Sequence, residues 1–193
     1  APTTPDIARV LSDKGRAQAR LAGSTYLRRI GALAPLVICS AAGRCVETAT
    51  LALGELAAGS GEIKLVRSQV LYDGTMQPEG STIFRKLGYA PLRDYYAEGE
   101  TVRTLLDGYA RGALDEIDGI AQRYLPQSLD SERRTLCVFG HAIYLPSIVL
   151  LLARERGLNR KSLDVALDTN TAEASGYLVT AQEVSYLLPN DRG

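Results

Sequence analysis

The chain has 193 residues, with 22 Lys and Arg against 22 Asp and Glu, so its formal net charge at pH 7 is zero. That length fits one domain with a single core. The charge balance lacks the basic surplus of nucleic-acid-binding proteins. A neutral protein also has little colloidal repulsion, which suits a subunit of a larger assembly. Composition therefore argues against nucleic acid as a partner and favours protein partners.

The cysteines and the apolar runs limit which cellular compartments and which classes of protein fit this sequence. Cys39, Cys45 and Cys137 are too scattered for a disulfide framework, and no CxxC pair indicates a metal, so we expect a reducing compartment, no metal and no cofactor. The longest apolar stretch, 143–153, is shorter than the roughly 20 residues that cross a bilayer. The opening 1–5, Ala-Pro-Thr-Thr-Pro, is typical of a processed end or of an artificial boundary. A plastid or mitochondrion is therefore one predicted location.

Helix and strand patterns alternate along the first third of the chain. Ser12 precedes apolar residues at helical spacing, which predicts a capped helix that ends near Ile30. The apolar run 36–39 predicts a buried strand, and 43–58 predicts the helix that follows it. A second strand is predicted over 63–66.

The segment 68–100 is different, because it combines several Gly and Pro residues with four of the ten tyrosines. We predict a long insertion with a little helix, whose aromatic side chains need a surface to pack against. After it we predict a helix over 101–124, a buried strand over 136–139, a helix from about Leu145 to Arg156 that stops at Gly157, and strands near the sheet edge over 176–180 and 183–188. Strands that alternate with helices predict one α/β domain over 1–193, with a mostly parallel sheet covered on both faces.

Four segments of this pattern carry recognisable motifs. They are Leu11-Ser12-Asp13-Lys14-Gly15-Arg16-Ala17-Gln18-Ala19, Ile38-Cys39-Ser40 with Arg44-Cys45-Val46-Glu47-Thr48-Ala49, Val138-Phe139-Gly140-His141-Ala142, and Asp168-Thr169-Asn170-Thr171-Ala172. In this order they resemble the histidine phosphatase superfamily, the phosphoglycerate-mutase-like proteins. Glu47 stands where that family usually has Gln. The resemblance covers most of the chain and implies a three-layer α/β sandwich.

The resemblance also implies a phosphate site. In the family, a histidine at the end of an Arg-His-Gly strand attacks phosphorus, while a second histidine and two arginines hold the phosphoryl oxygens. By position, Arg44 matches the second arginine and His141 the second histidine, both just beyond strand ends, where α/β proteins bind ligands. Asp73 and Glu79 lie where the family often places its acid, but neither sits in a motif, so we assign no proton donor.

The nucleophile has no counterpart in this sequence. Arg-His-Gly does not occur, and His141 is the one histidine. We therefore assign no catalytic residue and predict that the first central strand of the family's sheet is missing from these residues. Its absence would leave an open hydrogen-bonding edge, which another piece of this protein or a partner would fill.

Each candidate residue also has a simpler interpretation. His141 could instead be a structural histidine that caps the next helix or satisfies a buried carbonyl. Arg44 at a helix start opposes the helix dipole, which favours a nearby anion, but an ion pair with Glu47 explains it as well. An oxyanion between Arg44 and His141 is one hypothesis. The cysteines are most simply small buried hydrophobes. The alternative for Cys45 is a thiol that the same helix start makes more reactive than the other two.

A tyrosine and arginine cluster predicts a protein interface. Tyr89, Arg93, Tyr95 and Tyr96 lie close together, and both residue types are favoured at interfaces. The alternative is that they simply cover one end of the domain.

Three functions remain open at this point. The leading hypothesis is an inactive phosphatase-like protein that serves as a structural or interaction subunit, with a large organellar complex as one setting. The alternative is an active phosphatase or mutase on a small phosphate ester or phosphohistidine, whose nucleophile strand lies outside these residues. A non-catalytic phosphate sensor that uses Arg44 and His141 lies between the two. It predicts that phosphate raises the melting temperature and that Arg44→Ala removes the effect.

Overall fold

The computed structural model describes residues 6–30, 36–60, 64–73, 78–125 and 135–188, without the side chains of 26–30, 55–60 and 73. A short 3₁₀ segment, Asp6–Ala8, precedes the first helix. The helices are α1 (Asp13–Ile30), α2 (Gly43–Ser60), α3 (Val70–Asp73), α4 (Pro78–Leu87), α5 (Leu92–Ala97), α6 (Glu100–Tyr124), α7 (Tyr144–Glu155) and α8 (Arg160–Asp168). The strands are β1 (Leu36–Ser40), β2 (Lys64–Ser68), β3 (Leu136–Phe139), β4 (Gly176–Val179) and β5 (Val184–Leu187).

The chain divides into two compact units. Unit 1 comprises Ala1–Tyr72, Glu116–Gly140 and Pro189–Gly193, and unit 2 comprises Asp73–Asp115 and His141–Leu188. Helix α6 therefore begins in unit 2 and ends in unit 1. The single 193-residue domain stays a prediction.

A three-stranded parallel sheet forms the centre of unit 1. The strand order is β2-β1-β3, with Leu36 of β1 opposite Lys64 on one side and Leu136 on the other. Strand β1 is buried along its whole length, as its apolar run predicted. On one face, Val37 and Cys39 pack with Leu53 and other apolar residues of α2. The α/β class and the parallel sheet are confirmed.

The predicted start of α1 is also confirmed. The Ser12 hydroxyl accepts a hydrogen bond from the Gly15 N–H at 3.2 Å, so Ser12 satisfies one of the free donors of the first turn. Helix α1 packs along α2, and Gly23 faces the backbone of Ala52. Because a Cβ at position 23 would overlap that backbone, this crossing requires glycine.

Unit 2 has its own apolar core and a small antiparallel sheet. Fully buried Tyr95 and Leu106 lie in this core, together with side chains of α7 and α8. Strands β4 and β5 form a two-stranded sheet, Gly176 opposite Leu187. The prediction that these strands lie at the edge of the main sheet is wrong for the described residues, because in the described part of the chain they pair only with each other.

Helix α7 ends where the sequence predicted. Gly157 has a φ of +64°, its N–H bonds to the Arg154 carbonyl at 3.0 Å, and the Leu158 N–H bonds to the Ala153 carbonyl at 2.9 Å. Glycine adopts this left-handed conformation without the penalty of a Cβ, and the two bonds satisfy carbonyls of the last turn.

Two further predictions need correction. The segment 68–100 contains α3, α4 and α5 within its described residues, so it is much more helical than predicted. Strand β3 is not buried: Leu136 is 38% exposed, and the other three residues are half-buried. Among the described residues, no helix is long and apolar enough to cross a membrane.

Candidate anion site at the carboxyl edge of the parallel sheet

The three strands of unit 1 end at one edge, as parallel strands must. Fully buried Ser40 and Ser68 end β1 and β2, and Gly140 follows β3. The Ser68 hydroxyl accepts the Leu71 N–H at 3.2 Å and lies 3.4 Å from a carboxylate oxygen of Glu116. Because it bonds the turn after its strand, Ser68 has a structural role here.

Arg44, the candidate phosphate ligand, holds a carboxylate of its own chain. Its Nη1 donates to the Asp6 Oδ1 at 3.0 Å and to the Asp6 carbonyl at 3.1 Å. The Tyr72 hydroxyl lies 3.5 Å from the other carboxylate oxygen of Asp6. Partial burial raises the pKa of Asp6, but the hydrogen bond and charge of Arg44, helped by Arg9, outweigh it, so this pKa lies below its ordinary value. The anion beside Arg44 is therefore Asp6.

The backbone of the same segment lies against the start of α2. A Cβ built on Gly43 would approach the Arg9 carbonyl to 3.0 Å and the Ile7 carbonyl to 3.4 Å. A negative charge is stabilised at this end of a helix, where N–H groups lack intrahelical partners. Asp6 brings a negative charge to Arg44 near this helix start, so a carboxylate of the chain itself already lies beside the candidate phosphate ligand.

Glu47 of α2 forms hydrogen bonds with Leu11 and with Arg16 at the start of α1. Its two carboxylate oxygens accept the Leu11 N–H at 2.8 Å and the Arg16 Nε at 2.6 Å. The hydrogen bond from Leu11, followed by the one from Arg16, holds the pKa of Glu47 below its ordinary value. Arg44 pairs with Asp6 and Glu47 with Arg16, and an ion pair between Arg44 and Glu47 stays an alternative interpretation.

The substitution Glu47→Gln is expected to weaken the fold at neutral pH and to make little difference in acid. Because the pKa of Glu47 is lowered in the folded state, its stabilisation is fully present above the ordinary value of 4.5 and is lost as the pH falls through the folded-state pKa. Urea unfolding of the wild type and of Glu47→Gln between about pH 7 and pH 3 measures the difference between their free energies of unfolding.

Asp13→Asn is the matched control for Glu47→Gln. Asp13 also contacts Arg16, at 2.9 Å, but its side chain is fully exposed. Exposed ion pairs contribute little, so this variant should stay close to wild type throughout. If Glu47→Gln lowers the free energy of unfolding by the same amount at both ends of the pH range, the stabilising role given to the ionised Glu47 side chain is contradicted.

Cys39 and Cys45 are buried, Cys137 is half-buried, and the pKa of each of the three thiols is raised rather than lowered. Burial raises the pKa of Cys45 to about 11, and its Sγ donates to the Gly140 carbonyl at 3.4 Å. Burial likewise raises the pKa of Cys137 to about 11. The alternative of a more reactive Cys45 is wrong, because loss of solvent outweighs the effect of the nearby Arg44.

His141, the second candidate ligand, is the first residue of the second segment of unit 2. Its carbonyl accepts the N–H groups of Tyr144 and Leu145, at 3.1 and 3.0 Å, and so starts α7. Arg44 belongs to unit 1. An oxyanion site made of Arg44 and His141 therefore stays a prediction.

The predicted interface cluster separates into three kinds of residue. Tyr89 is 52% exposed and meets Phe84 edge to face, with ring centroids 5.7 Å apart. Arg93 pairs with Asp168, and the Tyr96 hydroxyl donates to a carboxylate. Tyr95 is fully buried, and its hydroxyl donates to the Gly88 carbonyl at 2.5 Å. Tyr95 is therefore a core residue, and the interface stays a prediction for Tyr89, Arg93 and Tyr96.

Of the unassigned acids, Glu79 lies exposed in the first turn of α4, and the side chain of Asp73 lies outside the described residues. The residue that the sequence did not reveal is Asp6. It precedes Arg44 by 38 positions and belongs to no motif, so no local pattern joins the two. Of the described residues, no group of three or more His, Cys, Asp or Glu side chains could hold a metal ion.

Comparison with solved structures finds chains of similar structure. No family model matches the chain, and no curated protein matches it. Among solved structures, it is similar to a proposed alpha-ribazole-5'-P phosphatase from Escherichia coli strain K-12, with a TM-score of 0.49 and 14% sequence identity. That match covers 98% of this chain and 88% of the other. A structural similarity with a TM-score this low does not support an inference about family or function. The resemblance to histidine phosphatases therefore rests on the four sequence segments alone.

Proposed function

We propose that this protein is a phosphatase-like protein that works without catalysis, as an interaction or structural subunit. The observation that carries the proposal is the carboxylate of Asp6 on Arg44, 3.0 Å from its Nη1. An entering phosphate would have to displace that carboxylate and leave a partly buried charge without its cation. The single histidine of the sequence supports the same conclusion, since the family's chemistry uses two.

Two further features support an interaction role. The formal net charge is zero, which suits a subunit that is covered by partners. Strand β3 leaves an apolar edge that no described strand pairs with. We propose that the protein belongs to a larger assembly in an organelle, and that another subunit of this assembly covers the edge of β3.

Phosphate release by the purified full-length protein tests the proposal. With a panel of small phosphate esters we expect no turnover above protein-free buffer, and the same result for His141→Ala. Robust turnover that disappears in His141→Ala would overturn the proposal, because it would show that this histidine acts on a phosphoryl group.

The alternative, an active phosphatase or mutase, has one observation in its favour. A further strand added parallel to β3 would end at the edge where Gly140 and the start of α2 lie. The residue after such a strand would reach the candidate anion site. The coding sequence upstream of Ala1 tests this alternative, which requires an apolar strand that ends in Arg-His-Gly.

A further inference from the structure

Three donors converge on the side chain of Asp6. The Arg44 Nη1 donates to the Asp6 Oδ1 at 3.0 Å, and the Arg9 Nη1 donates to the same oxygen at 3.4 Å. The Tyr72 hydroxyl donates to the other carboxylate oxygen, Oδ2, at 3.5 Å. Two guanidinium groups and a phenol therefore surround one carboxylate. Such charge-assisted donors are the groups with which proteins hold a small oxyanion.

The carboxylate and its donors differ in their contact with water. Tyr72 is only 7% exposed, so its hydroxyl is held by the packing of unit 1. The side chains of Arg44 and Asp6 are 29% and 33% exposed, and that of Arg9 is 65% exposed. Solvent therefore reaches the Asp6 carboxylate, and a dissolved anion is able to approach the same donors.

The three charges of this cluster leave one positive charge in excess. Partial burial raises the pKa of Asp6, but the hydrogen bonds and charges of Arg44 and Arg9 outweigh it, so the carboxylate is ionised at neutral pH. Without this carboxylate, the two guanidinium groups would face the same point, and their repulsion would favour an anion there. A doubly charged oxyanion would neutralise both groups.

The backbone of the segment 6–11 has contacts that do not involve the Asp6 carboxylate. The Asp6 carbonyl accepts the Arg44 Nη1 at 3.1 Å, and the Leu11 N–H donates to Glu47 at 2.8 Å. Glycine at position 43 permits the close approach of this segment, because a Cβ there would lie 3.0 Å from the Arg9 carbonyl oxygen. The carboxylate is therefore able to leave its donors while the backbone of the segment stays in place.

We infer that Asp6 is an autoinhibitory internal ligand, whose carboxylate occupies a binding site for a small, doubly charged oxyanion of the phosphate class that Arg9, Arg44 and Tyr72 form. Because the carboxylate belongs to the same chain, its effective concentration at these donors is on the order of millimolar or higher. A free oxyanion at a lower concentration does not displace it. This inference deepens the proposed function and rests on it, since that proposal depends on the same contact between Asp6 and Arg44.

Binding of inorganic phosphate to the full chain tests this inference. We expect Asp6→Ala to bind phosphate about tenfold more tightly than the wild type, because the substitution removes a competing anion and leaves two uncompensated guanidinium groups. Titration calorimetry at about pH 8, where phosphate is mostly doubly charged, measures the two dissociation constants, with chloride keeping the ionic strength constant. Acetate carries a single charge and should bind to Asp6→Ala more weakly than phosphate.

Asp13→Ala is the matched control, because it removes the same charge from the same part of the chain. Asp13 is fully exposed and pairs with Arg16 at 2.9 Å, so this variant should bind phosphate as weakly as the wild type. Arg44→Ala, added to Asp6→Ala, should remove the gain in affinity. If Asp6→Ala does not fold, Asp6→Asn keeps the shape of the side chain and removes its charge, and the same gain is expected.

Four results would overturn the inference. The first is a wild type that binds phosphate as tightly as Asp6→Ala, and the second is an equal gain in Asp13→Ala, which would indicate an effect of net charge alone. The third is a gain that survives Arg44→Ala, which would place the anion elsewhere, and the fourth is acetate that binds as tightly as phosphate. Failure of the proposed function is separate, since it would appear as release of phosphate from esters by the wild type.

Discussion

Replacement of Tyr95 by alanine is expected to lower the free energy of unfolding by about 3–5 kcal/mol, the usual cost of emptying a large aromatic site in a core. Tyr95 is fully buried in unit 2, where it lies in one apolar core with Leu92 and Leu106. Its hydroxyl also holds the Gly88 carbonyl at the end of α4. Denaturant unfolding of the purified variant measures the loss.

Two companion variants separate packing from the hydrogen bond at Tyr95. Tyr95→Phe keeps the ring and leaves the Gly88 carbonyl without its donor, which should cost about 1–2 kcal/mol. Tyr89→Ala removes an exposed ring and should stay within about 0.5 kcal/mol of wild type. A Tyr95→Ala variant that is as stable as Tyr89→Ala would contradict the placement of Tyr95 in the core.

Gly23→Ala is expected to destabilise unit 1 by about 3 kcal/mol, at the upper end of what overpacking costs. A Cβ at this position would lie 2.7 Å from the Cα and the carbonyl carbon of Ala52. These are backbone atoms of α2, so relief requires the two helices to move apart. Urea unfolding monitored by circular dichroism measures the change.

Gly54→Ala is the matched control for Gly23→Ala, because it adds the same methyl group to α2. Gly54 is exposed, and nothing lies within 4 Å of its Cβ position. In an open helical site alanine is favoured over glycine by up to about 1 kcal/mol, so this variant should be slightly more stable than wild type. Equal effects of the two variants would contradict the close crossing of α1 and α2.

The elements that could be predicted from sequence have local causes. Ser12 starts α1 because its hydroxyl accepts the Gly15 N–H, and a polar cap before an apolar pattern is visible in any sequence. Strand β1 is buried on both faces, which a continuous apolar run indicates. The end of α7 at Gly157 follows in the same way from the conformational freedom of glycine.

The sequence underestimates the helical content of 78–97 for a specific reason. Pro78 is typical of a turn, but it stands at the first position of α4, where an N–H would have no partner within the helix. Pro91 caps the start of α5, and Gly88 follows the end of α4 with a φ of +59°. These residues mark the ends of helices, and a segment with many such ends looks like a loop.

The remaining differences depend on long-range contacts. The alternating residues of β4 and β5 predict strands but do not say which sheet contains them. Whether an arginine at a helix start holds a phosphate or a carboxylate depends on what lies beside it. For Arg44 that neighbour is Asp6, which no spacing or motif connects to it.

Covalent labelling tests most directly the claim that the protein works without catalysis. The full-length protein is mixed with a ³²P-labelled small phosphoryl donor such as acetyl phosphate, quenched in base, and assayed for protein-bound label that acid releases, the property of a phosphohistidine. We predict no label above that of heat-denatured protein. Acid-labile label that accumulates within one turnover, and that His141→Ala reduces, would contradict the account.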